Sequence, residues 1–369
     1  MSFQRIVYII SEVDKSLAFE WIAERLDRNR FQLTFFLIGK KNSALAQALK
    51  QMNVPFIEFP FRSKGDLLVI FFRIFFKLLW IRPQIVHTHL FYANLIGLTA
   101  SWILRIKKRI FTRHHAMVHY REFVNGVKWD KWCNYTATHI VAISENVKDI
   151  LITLDKASPE KIRQIPHGFD LHYFSEVSPE RVENLKRQYK LHTHPVIGVI
   201  ARFIELKGIQ YIIPAFRELL GEYPQAHLVL ANTNGNYASA INKLLDELPK
   251  GSFTTITFQN DLAALYRLFD VYVHVPVDKK SESFGQTYIE ALASDVPSVF
   301  TLSGVAPEFI EHEKNALVID YRNSDAIRDS VKRLLNDTDL RSRMTRQGRK
   351  SAEQFSIDTM IANLTSLYE

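Results

Sequence analysis

The sequence predicts an α/β protein built from two doubly wound domains with a ligand cleft between them. Three observations lead there. The chain has 369 residues, too many for one ordinary core and suited to two domains of about 150 to 200 residues each. Short β-branched and aromatic runs alternate with amphipathic stretches along the whole chain, the rhythm of a mostly parallel sheet covered by helices. The composition is 47% hydrophobic and 23% charged, with no low-complexity tract and no repeat at a period of about 20 to 50 residues, which excludes disordered and solenoid classes.

Taken in order, the first strands are "RIVYII", "FQLTFFLI", "PFIEFPF", "QIVHTHL", "RIFTRH", "HIVAIS" and "IRQIPHG". Between the first two, "KSLAFEWIAERL" sets Leu17, Trp21, Ile22 and Leu26 on one helical face. A polar stretch near residues 175–194 reads as a linker. Beyond it come "PVIGVIA", "AHLVLAN", "TTITF", "VYVHVPV", "PSVFT" and "ALVI", again separated by helical segments. The expected domains are 1–185 and 186–352, and "FSIDTMIANLTSLYE" supplies a closing helix within 353–369. In such sheets ligands bind beyond the carboxyl ends of the strands.

The net charge of +8 is uneven. Residues 1–180 hold about 25 Lys and Arg against about 16 Asp and Glu, or about +9, so the first domain carries all of the excess and the rest is roughly −1. A basic face suits anionic lipid or an acidic substrate. No helix-turn-helix, zinc-finger or RNA-binding aromatic signature accompanies it, which argues against nucleic acid. The single cysteine, Cys133, excludes an internal disulfide and any multi-cysteine zinc site. "MSFQRIVYII" opens directly on a strand without the regions of a signal peptide, and a cytoplasmic location is expected.

Two segments of the second half have chemical content. In "SESFGQTYIEALASDVPSVF", Glu282 follows a strand and a charged loop, while Glu290 falls in the early turns of a helix that begins near Gly285. A carboxylate there accepts two hydrogen bonds from a vicinal diol such as a ribose, and the helix N-terminus offers N–H donors to an anion. In "IARFIELKG", Arg202 and Lys207 end a strand and Gly208 precedes a helix; two cations so placed suit a diphosphate. Each segment alone equally describes solvated surface charges.

Together they resemble the signature of family-4 retaining glycosyltransferases, which have the GT-B fold of two Rossmann-like domains facing a central cleft. The resemblance rests on Arg202 with Lys207 and Gly208, on Glu282 and Glu290, and on "EALASDVPSVF" and "SGVAPEFI". "IPHGFDLHYF" and, more loosely, "IVHTHL" extend it over almost the whole chain. It implies that Arg202 and Lys207 hold the diphosphate of a nucleotide sugar, that Glu290 holds its ribose, and that Ser283, Phe284, Gly285, Gln286 and Thr287 line the donor pocket beside Glu282. It also implies sugar transfer with retention, with no cofactor and no metal. The leaving phosphate oxygen would help take the acceptor proton in a front-face route; a double displacement would instead use Glu282 as nucleophile. His114, in "FTRHH", resembles the family's first-domain active-site histidine, with His115 as its rival; His87 and His89 share a strand face at period two. The departures are the glycine-free loop "SEVDKS" after the first strand, and His167 and Asp295 where the family usually has Asn and Gly.

"DLLVIFFRIFFKLLWIRP", residues 66–83, is apolar almost all round, broken by Arg73 and Lys77. It is too short and too charged to span a bilayer. Two readings remain: a helix buried against the first sheet, or one whose outer Phe71, Phe72, Phe75, Phe76 and Trp80 meet an anionic membrane surface. The leading expectation is a metal-independent transferase acting on a glycan or lipid-linked acceptor in cell-surface polysaccharide or lipid-linked glycan assembly. A nucleotide-sugar epimerase of the same fold and a degenerate, non-catalytic binding module are the alternatives.

Overall fold

The computed structural model describes residues 3–369. Its chain forms two compact units: one runs to Phe169 and takes in Ile357–Glu369, and the other is Asp170–Ser356.

In the first unit the order is β1 (Gln4–Ser11), α1 (Leu17–Arg25), β2 (Phe31–Gly39), α2 (Ala44–Gln51), β3 (Phe56–Pro60), α3 (Leu67–Ile81), β4 (Ile85–His89), α4 (Phe91–Ile103), β5 (Lys108–Arg113), α5 (Val118–Arg121), α6 (Gly126–Thr136), β6 (His139–Ala142), α7 (Glu145–Thr153) and β7 (Ile162–Gln164). The strands form one parallel sheet in the order β3-β2-β1-β4-β5-β6-β7. Both of its faces are buried, which is why β1 reads as an unbroken apolar run. Val7 and Ile9 meet Ile70, Ile74 and Leu78 of α3 and Ala93 and Ile96 of α4 on one face. Ile6, Tyr8 and Ile10 face the other way, onto Phe19 and Ile22 of α1 and Leu45 and Leu49 of α2.

The second unit comprises α8 (Leu171–Ser175), α9 (Pro179–Tyr189), β8 (Val196–Ile200), α10 (Ile209–Leu219), β9 (His227–Ala231), α11 (Ala238–Leu245), β10 (Phe253–Ile256), α12 (Leu262–Tyr266), β11 (Val271–His274), α13 (Gln286–Ala293), β12 (Ser298–Phe300), β13 (Leu317–Val318), α14 (Ser324–Asn336) and α15 (Thr338–Ala352). Its parallel sheet runs β10-β9-β8-β11-β12-β13. Each expected strand is present in both units.

The division between units differs from the expected boundary at 185/186, which falls inside α9. The polar surface of that helix resembles a linker in sequence. Ser178 accepts a hydrogen bond from Arg181 N at its start, Pro179 occupies the first turn, and Leu185 is buried. The closing helix, α16 (Ile357–Tyr368), packs onto the first unit. Ile357, Met360, Leu364 and Leu367 recur at helical spacing and join Ile6, Ile10 and Ile22 in its core. Lys108 Nζ caps the carbonyls of Leu367 and Tyr368 at 3.1 and 2.7 Å.

Candidate functional site

In the second sheet the strand order reverses between β8 and β11, the position where α/β sheets bind ligands at their carboxyl ends. Three loops leave the sheet there and are tied to one another. Val277 N donates to Leu206 O at 3.1 Å, Thr301 Oγ1 to Pro276 O at 2.7 Å, Glu282 N to Ser303 Oγ at 2.9 Å, and Val305 N to Phe284 O at 2.9 Å. Two glycines permit this closeness. A Cβ on Gly208 (φ +74°) would lie 1.9 Å from Val275 O, and one on Gly304 (φ +62°) would lie 2.5 Å from Phe284 O and 2.8 Å from Glu282 Cβ.

Glu282 is buried at the centre of these loops. Its Oε1 accepts a hydrogen bond from Lys207 Nζ and lies 3.1 Å from His274 Nε2 at the end of β11. Burial alone would raise the carboxyl pKa, but Lys207 and His274 outweigh burial and hold it down to about 2. Glu282 is therefore a fixed anion. Arg202, at the end of β8, is exposed to solvent.

Gly285 (φ +89°) is the N-cap of α13. Gln286 and Thr287 form its first turn, exposed and half-buried respectively, so the helix presents its positive end beside Glu282. Ser283 is half-buried, whereas the Phe284 ring turns inward onto Phe355, with centroids 6.0 Å apart. Phe284 thus gives the loop an anchor. Glu290 is buried one turn further along, where Tyr266 donates its hydroxyl to Oε2 at 2.9 Å. Burial raises its pKa to about 7 against the opposing pull of Tyr266.

In the first unit, His114 follows β5 directly. Its Nε2 lies 3.0 Å from His89 Nδ1, and its ring stacks on His167 at 5.4 Å and 14°. Burial drives His114 well below the ordinary histidine range, and His89 and His167 add to the shift, so it is neutral near pH 7. After β1 the glycine-free loop still takes a left-handed residue, Glu12 at φ +58°. His115, His119 and Asp130 come within metal-ligand reach of one another. Both Asp130 oxygens are already engaged: Oδ1 by Arg113 at 2.8 Å and Oδ2 by His119 Nδ1 at 2.6 Å. Arg113 also reaches Asp155 at 3.2 Å, and the group is a buried ion-pair network beneath the β5 loop.

The family model described as glycosyl transferases group 1 matches residues 181–351, and the one described as glycosyltransferase family 4 matches residues 21–173. The chain belongs to the family-4 glycosyltransferases. The capsular polysaccharide biosynthesis glycosyltransferase CapM of Staphylococcus aureus is 27% identical to it over 299 residues, 78% of this chain and 77% of CapM. A D-inositol 3-phosphate glycosyltransferase of Corynebacterium jeikeium is 30% identical over 242 residues, 62% of this chain and 56% of that protein. Among solved structures, Anabaena HepE in complex with UDP-glucose superposes with a TM-score of 0.84 at 20% identity, over 98% of this chain and 99% of HepE. A glycosyltransferase of Rickettsia africae gives 0.81 at 18% identity, over 100% and 98% of the two chains. The fold of this glycosyltransferase is GT-B.

Of the residues expected at the site, Lys207, Glu282, Ser283, Gly285, Gln286, Thr287 and Glu290 come from loops and a helix start at one edge of the transferase's second sheet. His114 belongs to the first unit. Sequence reasoning missed three contributors: His274 behind Glu282, Tyr266 behind Glu290, and Ser303 beneath the Glu282 backbone. The period-two placement of Tyr272 and His274 in "VYVH" was the available signal for His274; Tyr266 sits in an ordinary apolar helix and gave none.

Proposed function

We propose that this glycosyltransferase moves a sugar from a nucleotide-diphosphate sugar to a hydroxyl of a glycan or lipid-linked acceptor, with retention of configuration and without a metal ion. The reading rests on one observation: Lys207, Glu282 and His274 form a fixed charge cluster next to the positive end of α13, with Glu290 one turn deeper. Arg202 and Lys207 meet the diphosphate and stabilise its charge as it leaves. Glu290 takes the ribose diol, and Ser283, Gly285, Gln286 and Thr287 contact the phosphates and sugar. The bond from the anomeric carbon to the phosphate oxygen breaks, the acceptor oxygen bonds to that carbon on the same face, and the acceptor proton passes to the departing phosphate oxygen. Glu282 orients sugar hydroxyls; with its oxygen committed to Lys207 and His274 it is poorly disposed to act as nucleophile. His114 contributes a hydrogen bond to the donor from the first unit. HepE was solved with UDP-glucose and CapM acts in capsular polysaccharide biosynthesis, which supports a nucleotide-sugar donor and a cell-surface product.

The test is a panel of nucleotide sugars screened by thermal stabilisation, followed by NMR of the product anomer in buffer containing EDTA. A donor that stabilises the chain and yields a retained product supports the reading. An inverted product, or activity that returns only with magnesium or manganese, overturns it. Conversion of the donor without acceptor would favour the epimerase instead.

The same proposal places the enzyme at the cytoplasmic face of a membrane. Among the described residues no helix is long and apolar enough to cross one. Most of the large apolar side chains left exposed nevertheless lie between Leu68 and Tyr135, on α3 and the elements after it. On α3, Leu68, Val69, Phe72, Phe76, Leu79 and Trp80 are exposed, Trp80 at 79%, while Phe71 and Phe75 lean on the core beneath. Arg62, Lys64, Lys77 and Arg82 are exposed around this row, and Lys77 lies 5.5 Å from the Trp80 ring. An apolar row edged by cations matches the interface of an anionic bilayer.

A further inference from the structure

A polar track crosses the face of the first sheet that α16 covers. Tyr8 of β1, His87 and His89 of β4, and Thr112 of β5 are buried there in a layer otherwise made of Ile6, Ile10, Ile85 and Ile110. Tyr368, the last residue of α16, is fully buried, and its hydroxyl bonds both to the Tyr8 hydroxyl and to His87 Nδ1, the latter at 2.8 Å. His87 Nε2 lies 2.8 Å from Thr112 Oγ1. Both ring nitrogens of His87 are thus committed, so its ring has one orientation. Against that ring packs His89, with centroids 4.3 Å apart at 31°, and His89 Nδ1 meets His114 Nε2.

Two features show that the track ends in something other than core. His89 Nε2 is buried and has no hydrogen-bond partner among the described residues. An unpartnered ring nitrogen is costly in a core and is expected where a ligand group completes it. Leu90, the next residue, holds φ +72° and ψ +167°, a region almost reserved for glycine, and strain of this kind gathers at sites where the surrounding structure enforces a geometry.

We propose that Tyr368 is a positioning residue for sugar transfer: through His87 it fixes the ring on which His89 packs, and so holds His89 Nε2 and His114 in register for a hydroxyl of the bound ligand. The inference rests on the reading that puts His114 at the transfer site. In a neutral imidazole one nitrogen donates and the other accepts, so the bond from Tyr368 also selects the tautomer of His87.

The experiment compares the full-length enzyme with Tyr368→Phe, using Leu364→Ala as a control that loosens the same helix without touching the track. Kinetics are measured below the melting temperature of each variant, and the histidine rings are followed by ¹⁵N NMR after selective labelling. Tyr368→Phe is expected to lower kcat about tenfold or more with donor KM changed less than about twofold, the pattern of a misplaced reacting group. Its His87 and His89 ring shifts should report altered tautomers, while Leu364→Ala loses melting temperature and keeps kcat. Unaltered kcat in Tyr368→Phe, or a fall matched by Leu364→Ala with His87 and His89 shifts unmoved, overturns the proposal. His114→Ala in the same assay keeps the two readings apart: wild-type turnover there removes the role given to His114, and the ring shifts still judge Tyr368.

Discussion

Lys207 Nζ is hydrogen-bonded to Glu282 Oε1 across 75 positions of sequence. The family resemblance implies that these side chains serve different parts of one donor, yet in the structure they are bonded to each other. Lys207 retains two further N–H donors, which the proposed reading directs to a diphosphate.

Lys207→Ala is expected to reduce kcat by roughly 10²-fold or more, the scale of losing one charge partner of a departing phosphate. Steady-state kinetics with a saturating donor measure it. An unchanged turnover number would reject the diphosphate assignment.

Donor binding should depend on pH through Glu290. Burial raises this carboxyl to about 7. Ribose hydroxyls donate to the ionised form, so donor affinity should rise between about pH 6 and 8 and binding should release protons. The effect on folding has the opposite sign: a raised carboxyl pKa stabilises the folded chain most below the ordinary carboxylate value, and this contribution is lost as pH climbs through about 7. Calorimetry in buffers of different ionisation enthalpy tests the binding half, with Glu290→Gln expected to flatten the profile. A flat profile in the wild type would remove the ribose role.

Replacing Phe72, Phe76 and Trp80 together by Ser should weaken co-sedimentation with vesicles containing phosphatidylglycerol by at least about tenfold, since each buried apolar side chain contributes about 1.5–3 kcal/mol. Donor-induced thermal stabilisation should be unaffected. Equal vesicle binding by the variant and the wild type would leave α3 as a core helix only.

Arg113→Met is expected to cost about 3–5 kcal/mol of stability in urea denaturation, because it strips the cation from between two buried carboxylates. Arg113 is about 1% exposed and touches Asp130 and Asp155. Burial raises the Asp155 pKa, and without Arg113 that carboxyl should take up a proton on folding. A loss below about 1 kcal/mol would mean that the two carboxylates do not depend on Arg113.

Much of this was legible along the chain. The alternation of β1 to β13 with helices shows in local periodicity, and the same periodicity placed Lys207, Gly208, Glu282, Gly285 and Glu290 at or near strand ends and a helix start. The apolar run at residues 66–83 was visible too, but not which of its rings face outward: Phe71 and Phe75 differ from Phe72 and Phe76 only in the angle at which α3 meets the sheet.

The order of strands and helices and the residue types at their ends were determined by the sequence itself, because backbone propensity, hydrophobic period and turn chemistry act over a few neighbouring residues. Only the tertiary structure decided that Lys207 would hold Glu282, that Tyr266 would stand behind Glu290, and that α16 would return to the first sheet to join Tyr368 with Tyr8 and His87, 360 and 281 positions away. Those partners are chosen by how each sheet packs with its own helices and loops, and a hydrogen bond between distant residues leaves no mark on the local pattern of either.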